Sequence, residues 1–436
     1  MTVSRCHTID FLTLGCSKNL VDSERLMYRL QAMGYECRHD PAEAKAPIAV
    51  VNTCGFIGDA KEESINTILA FAARKQQGTL QRLYVMGCLS QRYLQELKAE
   101  IPEVDAWFGK FDYMNLLREL QPSAPDCHTD PFRRVITTPP HYAYLKISEG
   151  CNRRCSYCAI PIITGRHRSL PMEEVIKEAE WLREHGVKEL NVIAQDLSSY
   201  GKDLYHRHRL PELTERLAGI KGIEWIRLHY AYPADFPESL PEVMTRHDNI
   251  CKYLDIALQH CTDHMLDKMR RHITRAEQDA LIHRLREQVP GIHIRTTLMV
   301  GHPGETEEDF AELLDWVREM RFERMGAFAY SDEEGTYANR HYKDDIPPEV
   351  KQRRLEELMA VQQEIAGELS QQKTGRTLRV VIDREEGDYY VGRTEYDSPE
   401  VDGEVLLGKQ TPLQTGCFYL VRITRADTFD LYGETV

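Results

Sequence analysis

The chain has 436 residues, 42 % of them hydrophobic, with 55 basic and 69 acidic side chains and a net charge of −14. That length predicts two or three domains with sizeable cores, and the acidity disfavours a broad nucleic-acid footprint while leaving room for a local basic patch. No apolar run approaches the roughly 20 residues of a membrane span, and the start Met1-Thr2-Val3-Ser4-Arg5-Cys6-His7 has no signal-peptide core, so a cytoplasmic protein with reduced thiols is expected. Twelve cysteines in that compartment point to metal binding or thiol chemistry more than to disulfides.

In chain order, three apolar, strand-like runs each end in a cysteine: Phe11 to Cys16, Ile48 to Cys54 and Leu83 to Cys88. Helical patterns near Asp22 to Met33 and Glu62 to Arg74 lie between them. Strands alternating with helices predict a parallel sheet, and ligands of such sheets sit beyond the carboxyl ends of the strands. Free cysteine is commonly buried, so one strand-end cysteine would carry no message. Three of them, at intervals of 38 and 34 residues, predict a shared three-thiolate metal site with an open position.

Residues 121–141 hold five prolines and little periodicity, the mark of an inter-domain linker. The predicted domains are 1–120, then 141–370 after a linker at 121–140, and 371–436. The second domain opens six strand-like runs: Tyr142 to Ser148, Glu189 to Asp196, Trp225 to Tyr232, Tyr253 to His260, His293 to Gly301 and Arg324 to Ser331. Helical patterns between them include Met172 to His185, Thr274 to Gln288 and Thr306 to Met320. Six β/α units predict a partial barrel, with chemistry on the loops after the strand carboxyl ends.

The first of those loops carries Cys151-Asn152-Arg153-Arg154-Cys155-Ser156-Tyr157-Cys158. Three thiolates in this C-x-x-x-C-x-x-C spacing suit three corners of a 4Fe–4S cube and leave the fourth iron open, where four cysteines would close it. Half of a structural zinc site and a redox dithiol are the competing readings. No second cysteine pair follows before Cys251, and a dithiol leaves the third cysteine unexplained. Further on, residues 349–373 form a polar helical stretch, and 374–436 show alternating runs between glycine turns, the pattern of a small β-barrel of about five strands. Cys6, Cys37, Cys127, Cys251, Cys261 and Cys417 show no ligand spacing.

Several motifs resemble one family along essentially the whole chain: Leu14-Gly15-Cys16-Ser17-Lys18-Asn19, Asn52-Thr53-Cys54-Gly55-Phe56, His141 to Asn152 through the first cluster cysteine, Gln195-Asp196, and Gly304 to Phe310. The chain resembles the radical S-adenosylmethionine (SAM) methylthiotransferases, nearest to the bacterial branch that modifies ribosomal protein S-twelve. The resemblance implies an N-terminal parallel-sheet α/β domain, a partial (β/α)6 radical-SAM barrel and a C-terminal antiparallel β-barrel of the TRAM, OB-like type. It implies that Cys151, Cys155 and Cys158 hold the radical-SAM 4Fe–4S cluster and that Cys16, Cys54 and Cys88 hold an auxiliary one. It also implies SAM as cofactor, with Tyr157, Gln195, Asp196 and Arg295 as candidates for the SAM environment. An electron-donor protein, a sulfur donor and ribosomal protein S-twelve or the small ribosomal subunit are the implied partners.

The tRNA branch of the family is the main competitor for substrate. Its members usually carry Gln-Asn-Val-Asn after the second barrel strand, where this chain has Gln195-Asp196-Leu197-Ser198. Residues 374–436 hold seven basic and twelve acidic side chains, a net of −5. Phosphate binding favours lysine and arginine, so the acidic barrel is expected to suit a basic protein target. A non-catalytic iron–sulfur or zinc protein is the alternative of another class.

Overall fold

The computed structural model describes residues 7–121, 130 and 132–436. Most of the expected linker, together with Cys6 and Cys127, lies outside the described residues. The chain divides into two compact units, one of residues 1–137 with 149–152 and 159–166, the other of 138–148, 153–158 and 167–436.

In the first unit, strands Thr8–Thr13, Glu36–His39, Ile48–Thr53, Arg82–Gly87 and Ala106–Trp107 form one sheet in which every pairing is parallel. Taken from edge to edge, the strand order is second, first, third, fourth, fifth. Side chains alternate between two cores, as strand geometry requires. Val50, Tyr84 and Met86 pack with Leu26, Leu30 and Leu117 on one face; Val51, Leu83 and Val85 pack with Ile68, Phe71 and Leu97 on the other. Helices Ser17–Ala32 and Tyr113–Leu120 cover the first face, Gly58–Gln76 and Cys88–Glu100 the second. The order reverses between the first and third strands, the switch point at which open sheets of this kind bind ligands. The short second and fifth strands lack a clear alternation and were not legible in the sequence. The described residues before Thr138 are tied to the first helix through buried Glu24, which accepts from Arg134 Nη1 at 2.7 Å and from Thr137 N and Oγ1 at 2.8 Å.

In the second unit, strands Tyr142–Lys146, Glu189–Ile193, Trp225–Ala231, Ile250–Ile256, His293–Val300 and Arg324–Ala329 lie side by side in chain order, all parallel. The sheet stays open between its first and last strands, as the expected partial barrel requires. The long helix Pro348–Gln371 then leads to five strands, Thr377–Glu386, Tyr389–Thr394, Val405–Gly408, Phe418–Ala426 and Leu431–Thr435, which close into a barrel. Four of its pairings are antiparallel and one, Val405–Gly408 with Leu431–Thr435, is parallel. This is the mainly antiparallel barrel that the resemblance implied; the one parallel pairing arises where the fifth strand returns beside the third.

The small barrel is seated on the amino-terminal ends of the six parallel strands. Glu189 opens the second of them and is fully buried between Arg227 Nε at 3.0 Å and Arg393 Nη2 at 2.8 Å. Arg393 also binds Asp383, and Asp383 accepts from His141 at 2.7 Å. Tyr253 donates to Asp402 at 2.8 Å, Tyr142 to Glu400 at 3.0 Å, and Arg324 pairs with Asp397. Asp383, Asp397, Glu400 and Asp402 are therefore engaged by the chain's own residues. Asp383, Asp397 and Asp402 are turned inward while Glu400 stays exposed, so the charge argument for a basic target loses the force of those three carboxylates.

Burial disfavours the Glu189 carboxylate, but Arg393 and Arg227 outweigh it and hold its pKa below the ordinary value. Breaking a buried pair of this kind costs about 3–5 kcal/mol, because the remaining charges keep their desolvation penalty. A Glu189→Gln chain is expected to show a correspondingly lower urea midpoint, with the C-terminal barrel reporting first in hydrogen exchange.

Candidate metal centres

Three glycines shape the cysteine edge of the first unit. Gly15 has φ +89°, and a Cβ there would lie 2.7 Å from Cys54 Cβ and 2.8 Å from its Sγ. A Cβ on Gly55 would meet Leu89 Cα at 2.7 Å, and one on Gly87 (φ +106°) would meet Asn52 Oδ1 at 2.4 Å. Only without side chains at these positions can the three strand ends approach so closely. Cys16 is the N-cap of helix Ser17–Ala32, Cys88 opens helix Cys88–Glu100, and Cys54 shortly precedes helix Gly58–Gln76. Helix amino ends favour thiolates through their dipoles. Cys16, Cys54 and Cys88 thus lie near one another beside the switch point of the sheet.

Polar side chains lock this edge. Asn19 Nδ2 donates to Leu14 O at 3.0 Å and Thr53 O at 3.1 Å, and Asn52 Nδ2 donates to Asn19 O at 3.0 Å. Ser64 Oγ receives the Cys54 amide and donates to the Cys54 carbonyl, both at 3.0 Å. The Cys88 thiol points to Asn19 Oδ1 at 3.6 Å, and Lys110 Nζ reaches the same oxygen at 3.2 Å and Asp22 Oδ2 at 3.0 Å. Burial pushes the Cys88 thiol up to about 12, with Lys110 partly opposing the rise. Burial likewise raises Cys54. Burial works against the charge on Lys110 as well, yet Asp22 and the Cys88 and Cys16 sulfurs outweigh it and hold the ammonium protonated. A buried cation beside the Cys88 and Cys16 thiols suits a site that becomes anionic when metal displaces the thiol protons.

Among the described residues no three His, Cys, Asp or Glu side chains stand close enough to hold a single ion. A cluster makes no such demand, since each cysteine of a cube binds a different iron. The donor set and its spacing therefore fit a cluster better than mononuclear zinc.

Within the second cysteine run the chain passes from one unit to the other: Cys151 counts with the first, Cys155 and Cys158 with the second. The Cys151 amide donates to Gly165 O at 3.2 Å. Cys155 Sγ accepts from Arg271 Nη1 at 3.2 Å and lies 3.8 Å from Tyr232 Oη. Ser156 is fixed by Met269 O, to which its amide donates at 2.9 Å, and by His302 Nε2 at 3.0 Å from its hydroxyl. Burial pulls the His302 pKa down to about 4, so the ring is neutral near pH 7.

Of the expected SAM-environment residues, Tyr157 and Asp196 come together around Cys155. Tyr157 Oη accepts from Arg271 at 3.3 Å. Asp196, 1 % exposed, accepts at Oδ2 from Arg153 Nε at 2.7 Å and Ser199 Oγ at 2.6 Å, while its Oδ1 has no partner among the described residues. Such a buried, unpaired carboxylate oxygen is open to a donor from outside the chain. Gln195 is half-buried at the same strand end. Arg295 is not brought to this group: it pairs with Asp255 at 3.2 Å and with Asp402 of the C-terminal barrel at 3.5 Å. It sits near the start of its strand, away from the carboxyl-end loops, so its position supports the floor of the barrel. Arg153, Tyr232, Arg271 and Lys110 were missed in the sequence. Only Arg153 had a signal there, its place inside the cysteine run. The other described cysteines, Cys37, Cys251, Cys261 and Cys417, form no disulfide, and Cys251 is raised to about 12 by burial.

Comparison with known proteins shows the family of the chain. Family models match in three blocks: "Uncharacterized protein family UPF0004" over residues 8–109, the radical SAM superfamily over 145–317 and the TRAM domain over 374–436. The chain is 63 % identical over 429 residues to the ribosomal protein uS12 methylthiotransferase RimO of Phocaeicola vulgatus, covering 98 % of this chain and 99 % of that one. It is 61 % identical over 428 residues to the same enzyme of Bacteroides thetaiotaomicron (98 % of each chain) and 53 % identical over 427 residues to that of Christiangramia forsetii (98 % and 94 %). Among solved structures it resembles the radical SAM methyltransferase TsrM of Kitasatospora setae, with a TM-score of 0.54 at 14 % identity over 74 % of this chain and 72 % of that one. The cobalamin-dependent radical SAM enzyme OxsB gives a TM-score of 0.52 at 12 % identity over 82 % of this chain and 56 % of that one. At such identities these two structures speak to the fold alone. No helix among the described residues is long and apolar enough to cross a membrane.

Proposed function

The chain belongs to the ribosomal protein uS12 methylthiotransferases, a radical SAM family, and from that premise we propose that it adds a methylthio group to the β-carbon of an aspartate of uS12, the S-twelve protein of the small ribosomal subunit. Its radical SAM domain implies SAM and a 4Fe–4S cluster; we infer that it works with two such clusters. The observation that carries the second is the triad Cys16, Cys54 and Cys88, gathered at one switch point beside a buried lysine.

In this reading residues 1–120 carry the auxiliary centre, 141–370 the radical chemistry and 371–436 the C-terminal barrel, with 121–140 joining the first two. Cys151, Cys155 and Cys158 hold three irons and leave the fourth for the amino and carboxylate groups of SAM. When bound, the two clusters and SAM supply the radical that removes hydrogen from the substrate carbon and the sulfur that replaces it. The chain's own residues position and balance these groups. Asp196 is fixed by Arg153 and Ser199 and offers its free oxygen to SAM. Gln195 and Tyr157 flank the same end of the unit. Asn19 holds the Cys88 side of the auxiliary centre, and Lys110 balances its negative charge. Arg295 supports the barrel floor in place of the SAM role expected from the sequence. A low-potential electron donor and a sulfur donor are the further partners this chemistry requires.

The test is mass spectrometry of uS12 from a strain lacking this protein and from the complemented strain. The aspartate is expected to lose its methylthio group in the first and regain it in the second. An unchanged aspartate together with a tRNA that has lost its methylthio group would overturn the substrate assignment.

A further inference from the structure

Tyr232 stands between two guanidinium groups, with Arg153 at 4.2 Å and Arg271 at 4.1 Å from its ring centroid. Its hydroxyl donates to Arg271 O at 2.7 Å and lies 3.8 Å from Cys155 Sγ. Arg271 is 2 % exposed and donates from Nη1 to Cys155 Sγ at 3.2 Å and to Tyr157 Oη at 3.3 Å, and from Nη2 to Ala257 O. The residues on either side of it, Arg270 (φ +56°) and His272 (φ +53°), both occupy the left-handed region. Non-glycine residues seldom adopt that conformation, and it gathers at functional sites where the surroundings enforce it.

The electrostatics of Arg271 are incomplete in the thiol form of the protein. Arg153, on the other face of Tyr232, has Asp196 as its carboxylate partner. Arg271 has no carboxylate partner among the described residues. A buried cation is costly unless a negative group faces it. The group that does face it is the Cys155 side chain, which is a thiolate whenever it binds iron.

We propose that Arg271, steadied by Tyr232, is a positioning residue that donates to the sulfur of Cys155 and raises the reduction potential of the cluster held by that cysteine. The inference rests on the reading of Cys151, Cys155 and Cys158 as cluster ligands. Its sign follows from charge. Reduction adds one electron to the cluster, and a cationic N–H donor on sulfur stabilises the more negative form. Tyr232 holds the guanidinium from its ring face by a cation–π contact and from behind through the Arg271 carbonyl.

The test uses the full-length chain with Cys16, Cys54 and Cys88 changed to alanine, so that one cluster reports. After anaerobic reconstitution, iron is counted and the cluster is titrated with dithionite under EPR, with Arg271→Met, Arg271→Lys and Tyr232→Phe compared to the parent. Arg271→Met is expected to keep about four irons while its reduced-to-oxidised ratio at a fixed potential falls about tenfold, a negative shift of ~59 mV for one electron. Arg271→Lys, which retains the cation, falls between the two. Should Arg271→Met fail to hold iron, Tyr232→Phe carries the test, and its potential must move in the same direction. Unchanged potentials in the variants that hold iron overturn the inference and leave the cysteine assignment standing. A parent that holds no iron overturns both.

Discussion

A Cys155→Ala chain is expected to lose methylthio transfer and SAM cleavage together, while its iron content falls from about eight to about four per chain. The loss should exceed the ~10²–10⁴-fold that follows removal of a general acid or base, because no other side chain can take over a thiolate's place at iron. The cysteine is buried, with Arg271 and Tyr232 directed at its sulfur. Removing the sulfur leaves that guanidinium facing a methyl group, so the variant is destabilised as well. Circular dichroism and iron analysis on the same sample separate an inactive, folded chain from an unfolded one. Retained SAM cleavage in a folded Cys155→Ala chain would show that Cys151, Cys155 and Cys158 are not the radical centre.

The opposite dissociation is expected at the other triad. Cys54→Ala should also bring the iron down to about four, yet leave reductive cleavage of SAM to 5′-deoxyadenosine in place. Only the transfer of the methylthio group should vanish. Cys54 suits this test because its backbone is held independently of its sulfur: Ser64 binds both its amide and its carbonyl at 3.0 Å. Gly15, which carries no Cβ, leaves room for the alanine methyl as it does for the cysteine. The fold is therefore expected to survive and the sulfur-carrying function to be lost alone. Full methylthio transfer by Cys54→Ala would remove the auxiliary centre from the proposed mechanism.

What could be read from the sequence followed from local rules. The cysteine spacings needed only the chain order, and the six long strands of the second unit needed only apolar runs at regular intervals. The helical patterns read from Thr274 and Thr306 begin in the structure at those two residues, each the N-cap of its helix. What stayed hidden depends on contacts distant in sequence. Arg271 lies 116 positions from the sulfur it serves, in a segment with no motif. Lys110 meets Asn19 across 91 positions. Arg295 shows the converse: a strand position suggested a cofactor contact, but which end of the strand it occupies, and what is seated there, is a tertiary fact. The acidic count of the last 63 residues was read correctly, but the sequence could not show which carboxylates turn inward.

The seating of the small barrel on the strand starts also bears on how this enzyme can be dissected. A premature stop after Gln371 would remove Arg393, Asp397, Glu400 and Asp402 at once. Glu189, Tyr142, Tyr253 and Arg324 would then stand without those partners at what had been a sealed end. Such a truncated chain fails as a probe of target recognition, because its catalytic half is no longer the catalytic half of the intact protein. Point changes on the outward faces of the barrel, at residues that touch nothing in the rest of the chain, are the cuts that separate docking from chemistry.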